Sequence, residues 1–271
     1  MPLCQPTSVA QSLCFPRNVY RRLVTGICLS LLSMAHLPAH TADLTAYTEE
    51  WPPYNFTEER VGKGIATELL QEACALAQLH CEIHVVPWAR AYKTAQNTAN
   101  TLVYTTARKP SREKEFLWVG PIAPRTTWVY GNIPTDKQPR TLQELAQWRI
   151  GVVRDEAAYQ DLLAAGIPAS ALVVANSNAE VLRMLSSRMV DAMVDTEVGM
   201  QWNLRDAGPG ASTVTRLLKL SDEGAYYYAV NPQTPTQTVQ RLQEAVDKLR
   251  RNGWLQAILR TYGATTAASS K

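Results

Sequence analysis

Arg108 and Arg112 stand four residues apart in the stretch Thr105 to Pro121 (TTARKPSREKEFLWVGP). A guanidinium is permanently charged and planar, and its fork meets a carboxylate in two parallel hydrogen bonds. Either arginine is therefore equipped to hold an anion. Either also serves as a solvated charge, and Arg112 has Glu113 and Glu115 nearby for a surface pair of little energetic worth. Asp195 ends the run Asp191 to Asp195 (DAMVD), where a carboxylate can accept an ammonium group or cap a helix beginning near Glu197. Asp191 reads as structural, closing the turn after Arg188. Trp51 and Tyr54 flank two prolines, a setting that offers flat apolar area at low entropy cost and a face for a cation; Trp51 packed onto the next helix is the alternative. Trp88 and Arg90 form a second aromatic and cationic cluster, which a core Trp and a structural ion pair would explain equally well.

A catalytic constellation does not stand out. Glu49, Glu50 and Asp155 are carboxyls of the kind that acid–base chemistry needs, but the chain has no Gly-x-Ser-x-Gly, His-Glu-x-x-His or phosphate loop. His80 and His84 would lie about 13 Å apart on a strand rising about 3.3 Å per residue, too far to share a metal. No metal and no cofactor are expected. Cys74 and Cys81 are spaced to form a disulfide between a helix end and the next strand in an oxidising compartment. As two thiols they would pack as small hydrophobes, and the spacing leaves both readings open.

The elements that must position these residues follow from periodicity. Leu44 to Thr48 reads as a strand, Gly64 opens an amphipathic helix with Ile65, Leu69, Ala73 and Leu76 on one face, and Cys81 to Val86 alternates as a second strand. Pro87 to about Thr98 is a helix and Leu102 to Thr106 a third strand. After a Pro- and Gly-containing passage around Gly120 to Gly131 the grammar restarts. Thr141 to Glu144 is a capping box for a short helix, Arg149 to Arg154 a strand, and Glu156 to Ala165 a helix stopped by Gly166. Ala171 to Ala175 is a strand, Ser177 to Glu180 caps another helix, and Asp191 to Asp195 is a strand. Tyr226 to Val230 and two final helices, the last from Trp254 to Tyr262, close the chain. Such alternation predicts an α/β fold with two mainly parallel sheets flanked by helices.

Residues 1–42 read as a signal peptide, with Arg17, Arg21 and Arg22 before the apolar run Leu23 to Ala35 and small residues at Ala39 and Ala42. That run is short of the roughly 20 residues of a membrane span. The leader holds three of the 27 basic residues and none of the 24 acidic ones, so the remainder carries 24 of each and no formal net charge. A nucleic-acid partner is not expected of such a surface. The remaining 229 residues suit two lobes of ordinary size.

The order and spacing of several segments carry a resemblance. They are Thr48 to Phe56 (TEEWPPYNF), Val86 to Arg90 (VPWAR), Thr105 to Pro121, Leu142 to Gly151 (LQELAQWRIG), Leu185 to Asp195 (LSSRMVDAMVD) and Leu249 to Gly253 (LRRNG). Over roughly residues 43–263 the chain resembles the amino-acid-binding periplasmic solute-binding proteins, solute-binding protein family 3, which have the type II periplasmic binding fold. The resemblance implies two lobes joined by two crossing segments, with lobe one at 43–123 plus 227–263, lobe two at 124–226 and a flexible tail at 264–271. It implies a monomer in the periplasm that captures an amino acid or similar small polar solute between the lobes for an ABC permease. It assigns the ligand carboxylate to Arg112, with Arg108 as competitor, the ligand amino group to Asp195, and stacking to Trp51 with Tyr54 close by; Arg90 joins them as a ligand-binding candidate. Where relatives carry small hydroxyl residues before the carboxylate arginine, this chain has Ala107-Arg108-Lys109-Pro110. Two extra cations there would alter the pocket floor toward a different anion, an acidic amino acid or a modified zwitterion. The same fold supports a cyclohexadienyl dehydratase type of enzyme and ligand-sensing receptors, which are the alternative functions.

Overall fold

The computed structural model describes residues 42–134, 137–206 and 214–264. The expected signal peptide, Ala42 apart, and the expected tail from 265 onward lie outside the described residues.

Strand β1 (Leu44–Thr48) leads through a turn and a small hairpin, β2 (Phe56–Glu58) and β3 (Val61–Lys63), to helix α1 (Ile65–Leu76). Gly64 at the start of α1 has φ +107, and a Cβ there would stand 2.6 Å from the Tyr54 carbonyl oxygen. Only glycine lets the helix begin so close to the turn. Strand β4 (Cys81–Val85), helix α2 (Trp88–Asn97), β5 (Thr101–Ala107), a 3-10 turn (Pro110–Arg112) and β6 (Leu117–Pro124) complete the first passage. The second lobe contains β7 (Thr127–Gly131), β8 (Ile150–Val153), α3 (Ala157–Ala164), β9 (Leu172–Ala175), α4 (Asn178–Ser186), β10 (Ala192–Thr196), α5 (Glu197–Asp206) and β11 (Thr215–Ser221). Strand β12 (Ala225–Val230), α6 (Thr236–Arg251) and α7 (Trp254–Thr261) return to the first.

The strands form two five-stranded sheets, ordered β4-β1-β5-β12-β6 and β11-β7-β10-β8-β9. In each, four strands run one way and one is reversed: β12, antiparallel to β5 and β6, and β7, antiparallel to β10 and β11. Each reversed strand is one by which the chain arrives from elsewhere: β7 starts the second sheet and β12 returns the chain to the first. A chain that leaves one lobe at the carboxyl ends of its strands must begin the next sheet from that same edge, so the carboxyl ends of both sheets face each other. The two passages between the sheets, 125–126 and 222–224, are themselves tied by the Arg125 N–H donating to Gly224 O at 3.2 Å.

Three apolar clusters hold this frame. One packs α1, α6 and α7 on the first sheet through Leu69, Leu70, Leu242, Val246, Leu255 and Leu259. The second runs from α2 and β5 in lobe one to Val153, Val181, Met193 and Met200 in lobe two, and the third covers the far face of the second sheet. Ala264, expected as the first residue of the tail, is buried in the first cluster and donates its N–H to Leu259 O. Cys74 and Cys81 are joined as a disulfide between α1 and β4, which decides between the two readings the spacing allowed.

Local expectations differ at two places and hold at a third. The passage around Gly120 to Gly131 forms β6 and β7, because its prolines sit where ladder hydrogen bonds are not required of them. Thr141 caps no helix. Its hydroxyl bonds the Glu144 carboxylate at 3.1 Å and the segment is a 3-10 turn over Leu142–Gln147. Ser177 does act as a cap, accepting the Glu180 N–H at 3.2 Å.

Candidate functional site

The turn after β1 is built around Asn55. This fully buried side chain donates to Glu49 O at 2.6 Å and accepts the Thr105 hydroxyl at 2.6 Å, while the Trp51 N–H reaches Asn55 O at 2.7 Å. The turn thereby fixes Glu49 and Trp51 at the carboxyl end of β1. Thr105 itself holds φ +60, a costly conformation for a β-branched residue that sits at the site's floor. The Trp51 ring contacts Tyr54 at 4.8 Å and Tyr226 edge-on at 5.4 Å; Trp51 and Tyr226 line the cavity described below, whereas Tyr54, expected to join them, packs behind Trp51 outside the lining.

The two candidate arginines part company. Arg112, carried inward by the 3-10 turn, is 3% exposed, lies 4.9 Å over the Tyr92 ring, and donates through Nη2 to Asp155 O at 2.9 Å. Its Nη1 is buried without a hydrogen-bond partner. Burial lowers its pKa from the ordinary arginine value. The Asp155 carbonyl also accepts the Trp88 indole N–H at 3.1 Å, and Asp155 adopts φ +61 as it serves these two donors from the other lobe. Arg108, with its side chain 39% exposed, instead pairs with Glu113 at 2.5 Å and lies over Trp118 and Tyr227. Arg90 is exposed and stands outside the cavity described below. Lys109 pairs with Asp161 at 2.5 Å, and Arg125 pairs with the same carboxylate. The two cations of the Ala107 to Pro110 stretch are therefore taken up by Glu113 and Asp161, and the expectation that they would turn the pocket floor toward an anion is corrected.

From lobe two, β10 delivers Asp195, 3% exposed. Its Oδ1 accepts the Thr196 N–H at 2.7 Å and the Trp51 indole N–H at 3.2 Å; its Oδ2 accepts the Asn203 amide at 3.3 Å. The cap of α5 is Thr196, whose hydroxyl accepts the Gly199 N–H at 3.0 Å, which leaves the Asp195 carboxylate for the interlobe face. A Cβ at Gly199 would stand 2.5 Å from Asp195 Oδ1, so a larger residue there would have to displace that carboxylate. Burial, above all, lifts the Asp195 pKa to about 7. Glu49 from lobe one and Glu156 from the start of α3 in lobe two are both buried at the site, and burial, followed by the nearby Glu156 charge, holds Glu49 well above the usual carboxylate range. Glu156 is raised too, chiefly by burial. Its Oε1 accepts the Asn178 amide at 3.1 Å, whereas Glu49 Oε2 has no partner.

These groups line a small cavity of about 40 Å³ between the facing strand ends. Trp51, Arg112 and Asp195 line it together, with Glu49, Glu156 and Tyr226. Glu49 entered the sequence reading only as a possible acid or base, and Glu156 only as the start of a helix. Its signal lies in that place: a residue ahead of a helix is favoured when a short side chain can cap it, yet Glu156 makes no capping bond. The described residues hold no group of three or more metal-ligating side chains.

The arrangement can hold an anion at Arg112 and cations at the carboxyls, sandwiched by aromatic rings, and known proteins of this shape agree in fold. The arginine-, lysine-, histidine-binding protein ArtJ from Geobacillus stearothermophilus is 12% identical at a TM-score of 0.72, covering 83% of this chain and 96% of its own. An arginine transport system periplasmic binding protein from Legionella pneumophila is 16% identical at 0.71, covering 82% of this chain and 100% of its own. A histidine kinase sensor domain with similarity to periplasmic binding proteins is 18% identical at 0.72, covering 81% and 95%. No curated protein matches the sequence. The model of one family matches residues 44–265, nearly every described residue, and the chain belongs to that family, the bacterial extracellular solute-binding proteins, family 3.

Proposed function

We propose that this protein captures an amino acid or a closely similar zwitterion in the interlobe cavity and delivers it, from the periplasm, to an ABC-type permease. The observation that carries the reading is the pairing of charges across one cavity. Arg112 on lobe one offers an unpartnered Nη1 for a carboxylate, and Asp195 on lobe two offers a carboxylate for an ammonium group. A fixed guanidinium is bidentate for a carboxylate, and the Trp51 and Tyr226 rings supply apolar contact and a face for positive charge. Because each lobe contributes one pole, the ligand bridges the cleft and favours closure, the form a permease would read.

A thermal-shift screen of amino acids, dipeptides, polyamines and small acids tests this. A ligand at 100 times its dissociation constant adds about 2.7 kcal/mol of stability. Arg112→Ala and Asp195→Ala should each abolish the shift with the fold retained; a midpoint unmoved by every α-amino acid sinks the reading. An enzyme on this fold is favoured by one observation only: of Glu49, Glu50 and Asp155, the cavity takes Glu49, where burial raises its pKa as a general acid requires. Turnover of prephenate or arogenate would decide for it.

A further inference from the structure

A second cavity, of about 360 Å³, is lined by Tyr54, whose ring packs against Trp51 and Tyr226 of the first cavity's wall. This volume is in the range of small-molecule sites. The passage between the sheets separates the two spaces. Successive residues of an extended chain point to opposite sides, and Arg125 and Thr127 line the charged cavity while Thr126 and Trp128 line the second. Asp195 and Thr196 divide in the same way. The walls of the second cavity come from both lobes, Tyr54 and Leu259 from the first and Trp128, Glu197 and Val198 from the second. Trp128, Val198 and Leu259 offer surface to an apolar body. Among the described residues that line it there is one carboxylate, Glu197, and no lysine, arginine or histidine, so an anion entering it loses water without gaining a cationic partner. Glu197 is held only by long contacts, to Arg216 Nη1 at 3.4 Å and from the Gln201 amide at 3.5 Å, and an exposed pair of this kind is cheaply exchanged for a better donor. The Trp128 ring already lies 4.3 Å from the Arg216 guanidinium and 5.4 Å from Lys219 Nζ, which shows its pull on positive charge.

We propose that this second cavity binds small apolar monoamines, with the ammonium group at Glu197 and the apolar body on Trp128, Val198 and Leu259, and that its occupancy favours the closed arrangement of the lobes. It shares no lining residue with the charged cavity, so amine binding does not depend on what that cavity takes. A ligand that touches both walls is held only while they stand together, and they do so in the form in which Trp51 reaches Asp195. The amine therefore acts on closure from outside the charged cavity.

Isothermal titration of the purified protein at neutral pH compares phenethylamine with phenylacetate, an acid of similar size and opposite charge. We expect the amine to bind about tenfold or more tightly than the acid. Glu197 is exposed, so Glu197→Gln keeps the fold, and it should weaken the amine about three- to tenfold. Val198→Phe, which fills the cavity, should weaken it by more than about tenfold. Trp51→Phe lies outside the cavity and removes an interlobe bond; it should weaken the amine about threefold or more by depopulating the closed form. Equal binding of amine and acid, no binding of the amine, or an amine affinity untouched by both Glu197→Gln and Val198→Phe overturns the site. An amine affinity unchanged in Trp51→Phe overturns its link to closure.

Discussion

The Trp51 indole N–H donates to Asp195 Oδ1 at 3.2 Å, joining residues 144 positions apart and belonging to opposite lobes. The bond serves as cavity wall and as a closing contact at once. Trp51→Phe keeps the ring that faces Tyr54 and Tyr226 but removes the donor. A hydrogen bond to a charged group is worth about 1.5–3 kcal/mol, so amino-acid affinity should fall by about tenfold or more while the melting temperature of the unliganded variant changes little. Undiminished affinity by titration calorimetry would show that this bond does not take part in closure.

Stability should depend on pH through the buried carboxyls. Asp195 has a folded pKa of about 7 against an ordinary value of 3.8, and Glu49 and Glu156 are displaced in the same direction. The folded molecule therefore binds protons more tightly than the unfolded chain. The stabilisation is fully present below the ordinary carboxylate pKa and is lost as pH rises through about 7. For Asp195 alone the shift corresponds to up to about 4 kcal/mol, less whatever lobe opening relieves. The melting temperature should rise between pH 8 and pH 5, and Asp195→Asn should flatten that rise. A profile for Asp195→Asn parallel to the parent protein would assign the effect to other groups.

The disulfide between Cys74 and Cys81 closes a loop of about eight residues. A loop of this size restricts the unfolded chain by about 2 kcal/mol. With Cys74 buried against the first core, the double Cys74→Ser, Cys81→Ser variant should melt several degrees lower and, because the bond is remote from the cavity, bind its ligand unchanged. Calorimetry in the presence and absence of reductant gives the same comparison without substitution.

How far the chain could be read before folding differs from element to element. The β1-α1-β4-α2-β5 order was legible because each strand is bounded by turn residues and each helix shows a single apolar face. Strand β11 was not, since Thr215–Ser221 is half exposed along its length and carries no clear alternation. In the cavity, Trp51, Arg112 and Asp195 were legible as types at suggestive places. What could not be read was direction: four residues separate Arg108 from Arg112, and only the 3-10 turn at Pro110–Arg112 sends one over Trp118 and the other inward. That Glu49 and Glu156 line one cavity lies further still from sequence, because these residues, 107 positions apart in the chain, come together only when the two lobes face each other.

The Lys109–Asp161 pair gives the means to alter closure without touching the cavity. The Asp161 carboxylate, on α3 of lobe two, receives Lys109 of lobe one at 2.5 Å and Arg125 of the passage between the sheets, and it is not part of the cavity lining. The Arg125 arm lies at the pivot, where the distance to Asp161 need change little as the lobes part. The Lys109 arm spans the cleft and must break. Lys109→Met should therefore act on closure alone. A partly buried ion pair of this kind sits between the exposed case of under 1 kcal/mol and the several kcal/mol of a fully buried one, so affinity should fall about three- to tenfold, and more at low salt than at high. Asp161→Asn should do more damage, because it also strands the buried Arg125 guanidinium, and should lower the melting temperature as well. Equal effects of the two substitutions on stability would mean that Lys109 supports the fold itself, and closure would then have to be sought in Trp51, Trp88 and Arg112.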